Sequence, residues 1–148
     1  MPDFSHLAAL EQKGDTEFPY KLEQIAGAPT IWFHPATDAN KAFMNETLRR
    51  ANARAGRNRR GQRLTHDTLR ESRTEDKEVF SATCAKRWNV KDAKGEPVEF
   101  SADNCLEFFN ALPDWLFDDI RNWITNASNF LAANIAGEDD LGEGLPRA

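Results

Sequence analysis

The feature that most constrains this chain is NCLEFFNALPDWLFDDIRNWITNASNF, residues 104–130, which holds two of its four Trp and four of its ten Phe. Large apolar side chains packed so densely into a polar protein must be removed from water together. Their spacing is helical. Cys105, Leu106, Phe108, Phe109 and Leu112 form one wide apolar face behind Ser101, a residue suited to accepting an orphan amide hydrogen bond at a helix start. Pro113 fits the first turn of a second helix, Asp114 its positive dipole end, and Asn126 its stop. On that helix Trp115, Leu116, Phe117, Ile120, Trp123 and Ile124 recur. Phe130, Leu131 and Ile135 allow one more short helix. Two readings stay open for this block. It is core, or it is a core whose surplus face, with Trp115, Phe117, Ile120, Trp123 and Ile124, docks a partner or a second copy.

The rest of the chain has thinner apolar patterning. Phe18, Tyr20, Leu22 and Ile25, a break at Ala26-Gly27-Ala28-Pro29, and then Thr30-Ile31-Trp32-Phe33 predict a β-hairpin ended by Pro35. Thr37 or Asp38 is the expected cap of a helix carrying Ala39, Phe43, Met44, Leu48 and Ala51, which weakens at Gly56. RNRRGQR, residues 57–63, offers nothing to bury and reads as a loop. A second helix follows over about Thr65 to Lys77. VFSATCAKRWNV, residues 79–90, alternates like a strand from Val79 to Cys84 but is equally compatible with helix near Cys84–Trp88. Lys91 to Pro97 is a turn with Gly95 free to take positive φ, and Val98-Glu99-Phe100 is an extended return.

These elements predict one α+β domain: an N-terminal β-hairpin and short extended segments packed on a mainly α-helical C-terminal half. The expected boundaries are a loosely held arm over 1–17, the domain over 18–136 with a basic loop near 54–64, and a disordered acidic tail over 137–148. A 148-residue chain of 40% hydrophobic and 29% charged residues removes roughly two-thirds of its unfolded surface from water. No apolar run reaches the roughly 18 residues of a membrane span, so no membrane partner is expected. MPDFSHLAALEQKGD lacks the basic start and apolar segment of a secretory leader, and a reduced, cytoplasmic setting with buried Cys84 and Cys105 thiols is expected.

Chemistry has little to stand on. His6, His34 and His66 lie in three separate segments, and neither metal-ligand spacing nor a phosphate-cradling or nucleophile motif is present. Asp118-Asp119 are neighbours on a helix and point apart, so they read as a solvated face. No enzyme, cofactor or metal is expected. Charge is more informative. The net charge is −5, yet residues 49–73 hold nine Arg against Asp67 and Glu71, an excess of seven positive charges, which leaves twelve negative charges on the rest. Arg54, Arg57, Arg59, Arg60 and Arg63 could grip a phosphate backbone. A solvated loop, or one paired with acidic protein surface, is the plainer reading, because aromatic interleaving and any zinc or helix-turn-helix signature are missing.

KRWNVKDAKGEPVEFSADNCLEFFNALPDWLFDDIRNWITNASNF resembles the pattern of tailed-bacteriophage tail assembly chaperones, carried by Trp88, Val90, Asp92, Gly95, Glu96, Pro97, Val98, Phe100, Ser101, Leu106, Leu112, Pro113, Phe117, Asn129 and Phe130. Upstream, HPATDANKAFMNETLRR is similar to a Pro-Ala-Thr-Glu-x-Asn-Lys phrase of phage structural and assembly proteins. The resemblance implies a non-enzymatic protein that binds other tail proteins in the host cytoplasm, such as a long helical tape-measure protein and tail-tube subunits. It equally admits a permanent virion part: head decoration, connector or tail component. Self-association is compatible with either, and nucleic-acid binding is the third reading.

Overall fold

A computed structural model of the chain describes residues 2–12, 15–55 and 66–131. Three antiparallel strands form one sheet in the order β1 (Phe18–Lys21), β2 (Thr30–Phe33), β3 (Ala85–Trp88). Four helices accompany it: α1 (Lys41–Ala55), α2 (His66–Thr83), α3 (Ala102–Ala111) and α4 (Asp114–Ile124). Two 3-10 turns, Ser5–Leu10 and Ala127–Phe130, complete the described elements. The fold is α+β, and the hairpin forms where the alternation of Phe18, Tyr20, Ile31 and Phe33 places it.

One face of the sheet receives the helices. Phe18 pairs with Phe33 and Tyr20 with Ile31. On the other side of β2, Ile31 pairs with Trp88, Trp32 with Arg87, and Phe33 with Ala85, so one extra residue, Lys86, bulges from β3. The bulge shifts the side-chain alternation. Ala85 and Trp88 therefore both serve the core side, while Arg87 lies over the Trp32 ring at 4.0 Å. Phe109 from α3 and Leu116, Phe117, Ile120 and Ile124 from α4 share one buried core with Phe18, Ile31, Phe33 and Ala85 of the sheet, each of the five at most 2% exposed.

Asn40 joins three of these elements. Its side chain is buried, and Nδ2 donates to the carbonyls of Pro35 (3.0 Å) and Thr83 (3.0 Å), while Oδ1 accepts from the Phe43 amide (3.2 Å). It is thus the capping residue of α1 and a clamp on the end of α2. Thr37 and Asp38, the expected caps, belong instead to the preceding turn, where the Thr37 hydroxyl accepts from the Ala39 amide and its carbonyl from that of Asn40. A buried cap that also binds other elements outcompetes an exposed one, because its polar groups have no water to return to.

The segment 79–88 reverses the expected pattern. Val79 to Thr83 continue α2, and Ala85 to Trp88 form the strand. Lys77, Val79, Phe80, Ser81, Thr83, Cys84 and Ala85 are all buried, so neither a helical nor a strand period is visible there. Two boundaries also move. Pro113 stands just before α4 rather than in its first turn, and Asn126 starts the second 3-10 turn by accepting from the Ser128 amide, one residue past the Thr125 C-cap. The other local signals hold. Ser101 accepts from the Asn104 amide (3.0 Å), and Gly95 sits at φ 82° in the turn between β3 and α3. The N-terminal arm is tied through Gln12, which bridges Leu131 antiparallel and accepts from the Thr37 hydroxyl, and through Glu17, which pairs with Arg87 of β3 (2.5 Å). The tail over 137–148, and the basic loop from residue 56 to 64, lie outside the described residues.

The Asn40 clamp makes a stability prediction. Asn40→Ala should lower unfolding free energy by about 2–4 kcal/mol, since two carbonyls lose their donor and one helix loses its cap. Asn40→Asp keeps the capping oxygen but turns both donors into a repulsive carboxylate, and should be no better than alanine. Urea denaturation of both variants checks this, and an aspartate variant close to the parent would refute the clamp.

Candidate docking surfaces

The proposed docking residues separate into two groups. Phe117, Ile120 and Ile124 are fully buried and belong to the core, which corrects their assignment to a surface. The Phe117 ring lies 5.3 Å from Phe109 and 6.2 Å from Phe80, with the Lys77 ammonium 5.4 Å from its centroid. Trp123 is half-buried, its ring 4.9 Å from Phe130, 5.1 Å from Tyr20 and 6.1 Å from Phe33. Trp115 is different. It is 57% exposed, because it falls a quarter-turn off the Leu116–Ile120–Ile124 face. Of the five residues, Trp115 alone presents a large apolar surface to solvent.

The Arg segment also divides. Arg54 pairs with Glu75 across the α1–α2 pair, and Arg50 binds Glu46 (2.7 Å) and Glu78 (3.0 Å). Arg49 pairs with Glu46, and these two guanidiniums hold the Glu46 carboxyl down at about 2. Arg54 is therefore engaged with protein carboxylate rather than held out for phosphate. Arg57, Arg59, Arg60 and Arg63 lie outside the described residues.

A second ion-pair cluster, unforeseen from the sequence, joins α2 to α4. Arg73 makes a two-pronged contact with Asp118 (3.1 and 3.0 Å) and reaches Asp114 at 3.4 Å. Arg121 bridges Asp118 and Asp76, each at 3.1 Å. Asp118 is thus no solvated neighbour of Asp119. The hydrogen bonds from Arg73 hold its carboxyl below the usual range, whereas burial pushes Asp76 up despite Arg121.

A groove of about 710 Å³ lies between the hairpin loop and the β3–α3 turn. Ile25, Pro29, Val90 and Phe108 give it an apolar lining; Gly27 and Gly95, both at positive φ, stand at its two loop walls. Besides Lys91, its polar side chains are Asn89 and Asp92, and both are engaged in hydrogen bonds to the backbone. Asn89 Oδ1 accepts from the Thr30 amide (2.6 Å), and Asp92 Oδ1 accepts from Lys94 (2.9 Å) and Glu96 (3.0 Å). The lining contains no His, Cys or Ser. Such a groove suits an apolar segment of a partner more than a polar reacting group. Elsewhere, both thiols are fully buried, and burial pushes Cys84 up to about 12 and raises Cys105 as well, so neither is a nucleophile. Among the described residues no acidic, His or Cys cluster could hold a metal, and no helix is long and apolar enough to cross a membrane.

Two outcomes follow from these placements. Phe117→Ala should cost about 3–5 kcal/mol through cavity formation, and Trp115→Ala should stay within about 0.5 kcal/mol of the parent, both read by urea denaturation. Asp118 has a depressed folded pKa, so its contribution is present above its ordinary value of 3.8 and is lost as pH falls through the lower folded value. Asp76, raised by burial, acts in the opposite sense over the same approach to acid. Asp118→Asn should therefore be weaker than the parent near neutrality yet lose less stability between about pH 5 and pH 2. Parallel acid limbs for the two proteins would contradict the Arg73 contact.

No protein-family model, curated protein or solved structure matches this chain.

Proposed function

We propose that this chain is a non-enzymatic protein of phage tail morphogenesis that binds other tail proteins, in the manner of a tail assembly chaperone. The observation that carries the reading is the groove. Val90, Asp92 and Gly95, residues on which the resemblance to those chaperones rests, line it, and Trp88 meets the lining residue Phe108 edge to face (ring centroids 5.5 Å). Two rigid turns facing each other across apolar side chains form a seat for an apolar stretch of a partner helix. The exposed Trp115 is a further anchor of the kind that dominates protein interfaces. The nucleic-acid reading draws less support, since Arg49, Arg50, Arg54 and Arg73 all pair with carboxylates.

The test combines particle composition with a groove variant. Ala26 and Ala93 are exposed on opposite walls, so Ala26→Arg and Ala93→Arg fill the groove without touching the core. Mass spectrometry of purified particles and of unassembled lysate should find the protein in the lysate with a long helical tail protein and missing from finished particles. Ala93→Arg should reduce that co-purification at least about tenfold, the loss of one buried anchor, with unchanged thermal unfolding. Many copies in finished particles would make the protein a permanent virion component. Salt-sensitive recovery of nucleic acid in place of protein would favour the Arg-loop reading, and recovery of neither would sink the proposal.

A further inference from the structure

Helix α4 divides into three sides. Leu116, Phe117, Ile120 and Ile124 face the core, and Asp114, Asp118 and Arg121 face α2, where Arg73 and Asp76 engage them. The third side is open. Trp115, Asp119 and Trp123 follow one another at a spacing of four, so they stand in a row, one helical turn apart. Trp115 is 57% exposed, Asp119 is exposed and Trp123 is half-buried. The row places one carboxylate between two indoles. Tyr20 of β1 borders it: its ring lies 5.1 Å from that of Trp123, and burial, followed by the charge of Asp119, raises its phenol above the ordinary 10.0.

Asp119 differs from its neighbours. Asp114 and Asp118 pair with Arg73, whereas Asp119 makes no ion pair among the described residues. Residues 102–131 hold five carboxylates, and their single cation, Arg121, is engaged by Asp76 and Asp118. An unpaired carboxylate with an indole beside it is complementary to a guanidinium, which bonds the one and stacks on the other. The same charge repels phosphate, which disfavours nucleic acid and anionic lipid on this side. The row spans about 12 Å, two turns of helix, and lies open to solvent. That shape receives successive side chains of a segment, whereas a small ligand needs walls around it.

We propose that the Trp115–Asp119–Trp123 row is a docking surface for an arginine-bearing segment of a partner protein, with a guanidinium on the Asp119 carboxylate and its plane against the Trp115 indole. This names the partner chemistry of the Trp115 anchor and rests on that reading of it, but it uses neither the groove nor the tail-assembly role.

An alanine-based helical peptide with arginine at every fourth position tests it, titrated into the isotope-labelled full-length chain at about 0.15 M salt, which screens distant charges. The Trp115 indole N–H resonance, identified by its loss in Trp115→Phe, should move saturably, and the glutamine version of the peptide should leave it in place. By anisotropy of a dye-labelled peptide, Trp115→Ala and Asp119→Asn should each weaken binding about two- to fivefold. Glu96→Gln, which removes the same charge from the β3–α3 turn, should not. Ala93→Arg should also leave the affinity unchanged, so the groove and the row can fail separately. Equal losses in Asp119→Asn and Glu96→Gln would reduce the binding to net charge and overturn the proposal. So would a Trp115 resonance indifferent to the arginine peptide, or one that moves on dilution of the chain alone, since a second copy would then cover the row.

Discussion

Asn40 is the point on which the architecture turns. A sheet of three four-residue strands is too small to stand alone, and the helices that stabilise it must be held at a set distance and angle. One buried carboxamide does this by binding the backbone on both sides: the Pro35 carbonyl after β2 and the Thr83 carbonyl at the end of α2. Around it the backbone adds its own ties, from the His34 amide to the Cys84 carbonyl (2.8 Å) and from the Ala36 amide to the Ile124 carbonyl (2.9 Å). Three chain segments that leave the sheet, start a helix and end a helix thus converge on a few polar groups with no water to compete. Hydrogen bonds in such a place are costly to lose, and so they specify the arrangement more sharply than they stabilise it.

Around that clamp the aromatic rings carry the packing. One chain of ring contacts runs from Phe43 through Phe80, Phe117, Phe109 and Phe108 to Trp88 and Phe100, linking α1, α2, α4, α3 and the β3–α3 turn. A second joins Phe33, Tyr20, Trp123, Phe130 and Phe18, closing the hairpin against the end of α4. Residues 104–130 supply the middle of both. This accounts for most of their aromatic density: a sheet with so few inward side chains needs large, rigid ones opposite it. Trp115 is the remainder that the core does not use.

The parts legible in the sequence were those written in local chemistry. The alternation of Phe18, Tyr20, Ile31 and Phe33, the Ser101 cap, Gly95 in its turn and the apolar face of α4 each depend on neighbours a few residues away. The illegible parts depend on distant ones. Asn40 looks no better a cap than Thr37 until Thr83, 43 residues on, becomes its partner. Val79 to Ala85 is buried on nearly every side, which erases the period that separates helix from strand. Asp118 resembles any solvated helix carboxylate because Arg73, 45 residues earlier, is invisible to helical spacing. For the docking surface the limit is similar. Periodicity grouped Trp115 with Phe117, Ile120 and Ile124, and only the direction of α4 against the sheet separates the exposed ring from the buried side chains.

The placement of the motif residues bears on how far a resemblance reaches. Pro35, Thr37 and Asn40 of the upstream phrase build the clamp and its turn. In the downstream phrase, Trp88 donates to the Val98 carbonyl (2.7 Å), Asp92 caps the turn through two amides, and Ser101 starts α3. Each of these residues has a structural task that would preserve it in any protein sharing this arrangement, whatever that protein binds. Likeness in them therefore speaks first about the fold and only through the fold about activity. The groove is where the two meet, because the turn that Asp92 and Gly95 shape for structural reasons is also one of its walls. Residues free of structural duty, such as the exposed Ala26, Ala93 and Trp115, are the ones whose identity reports on a partner.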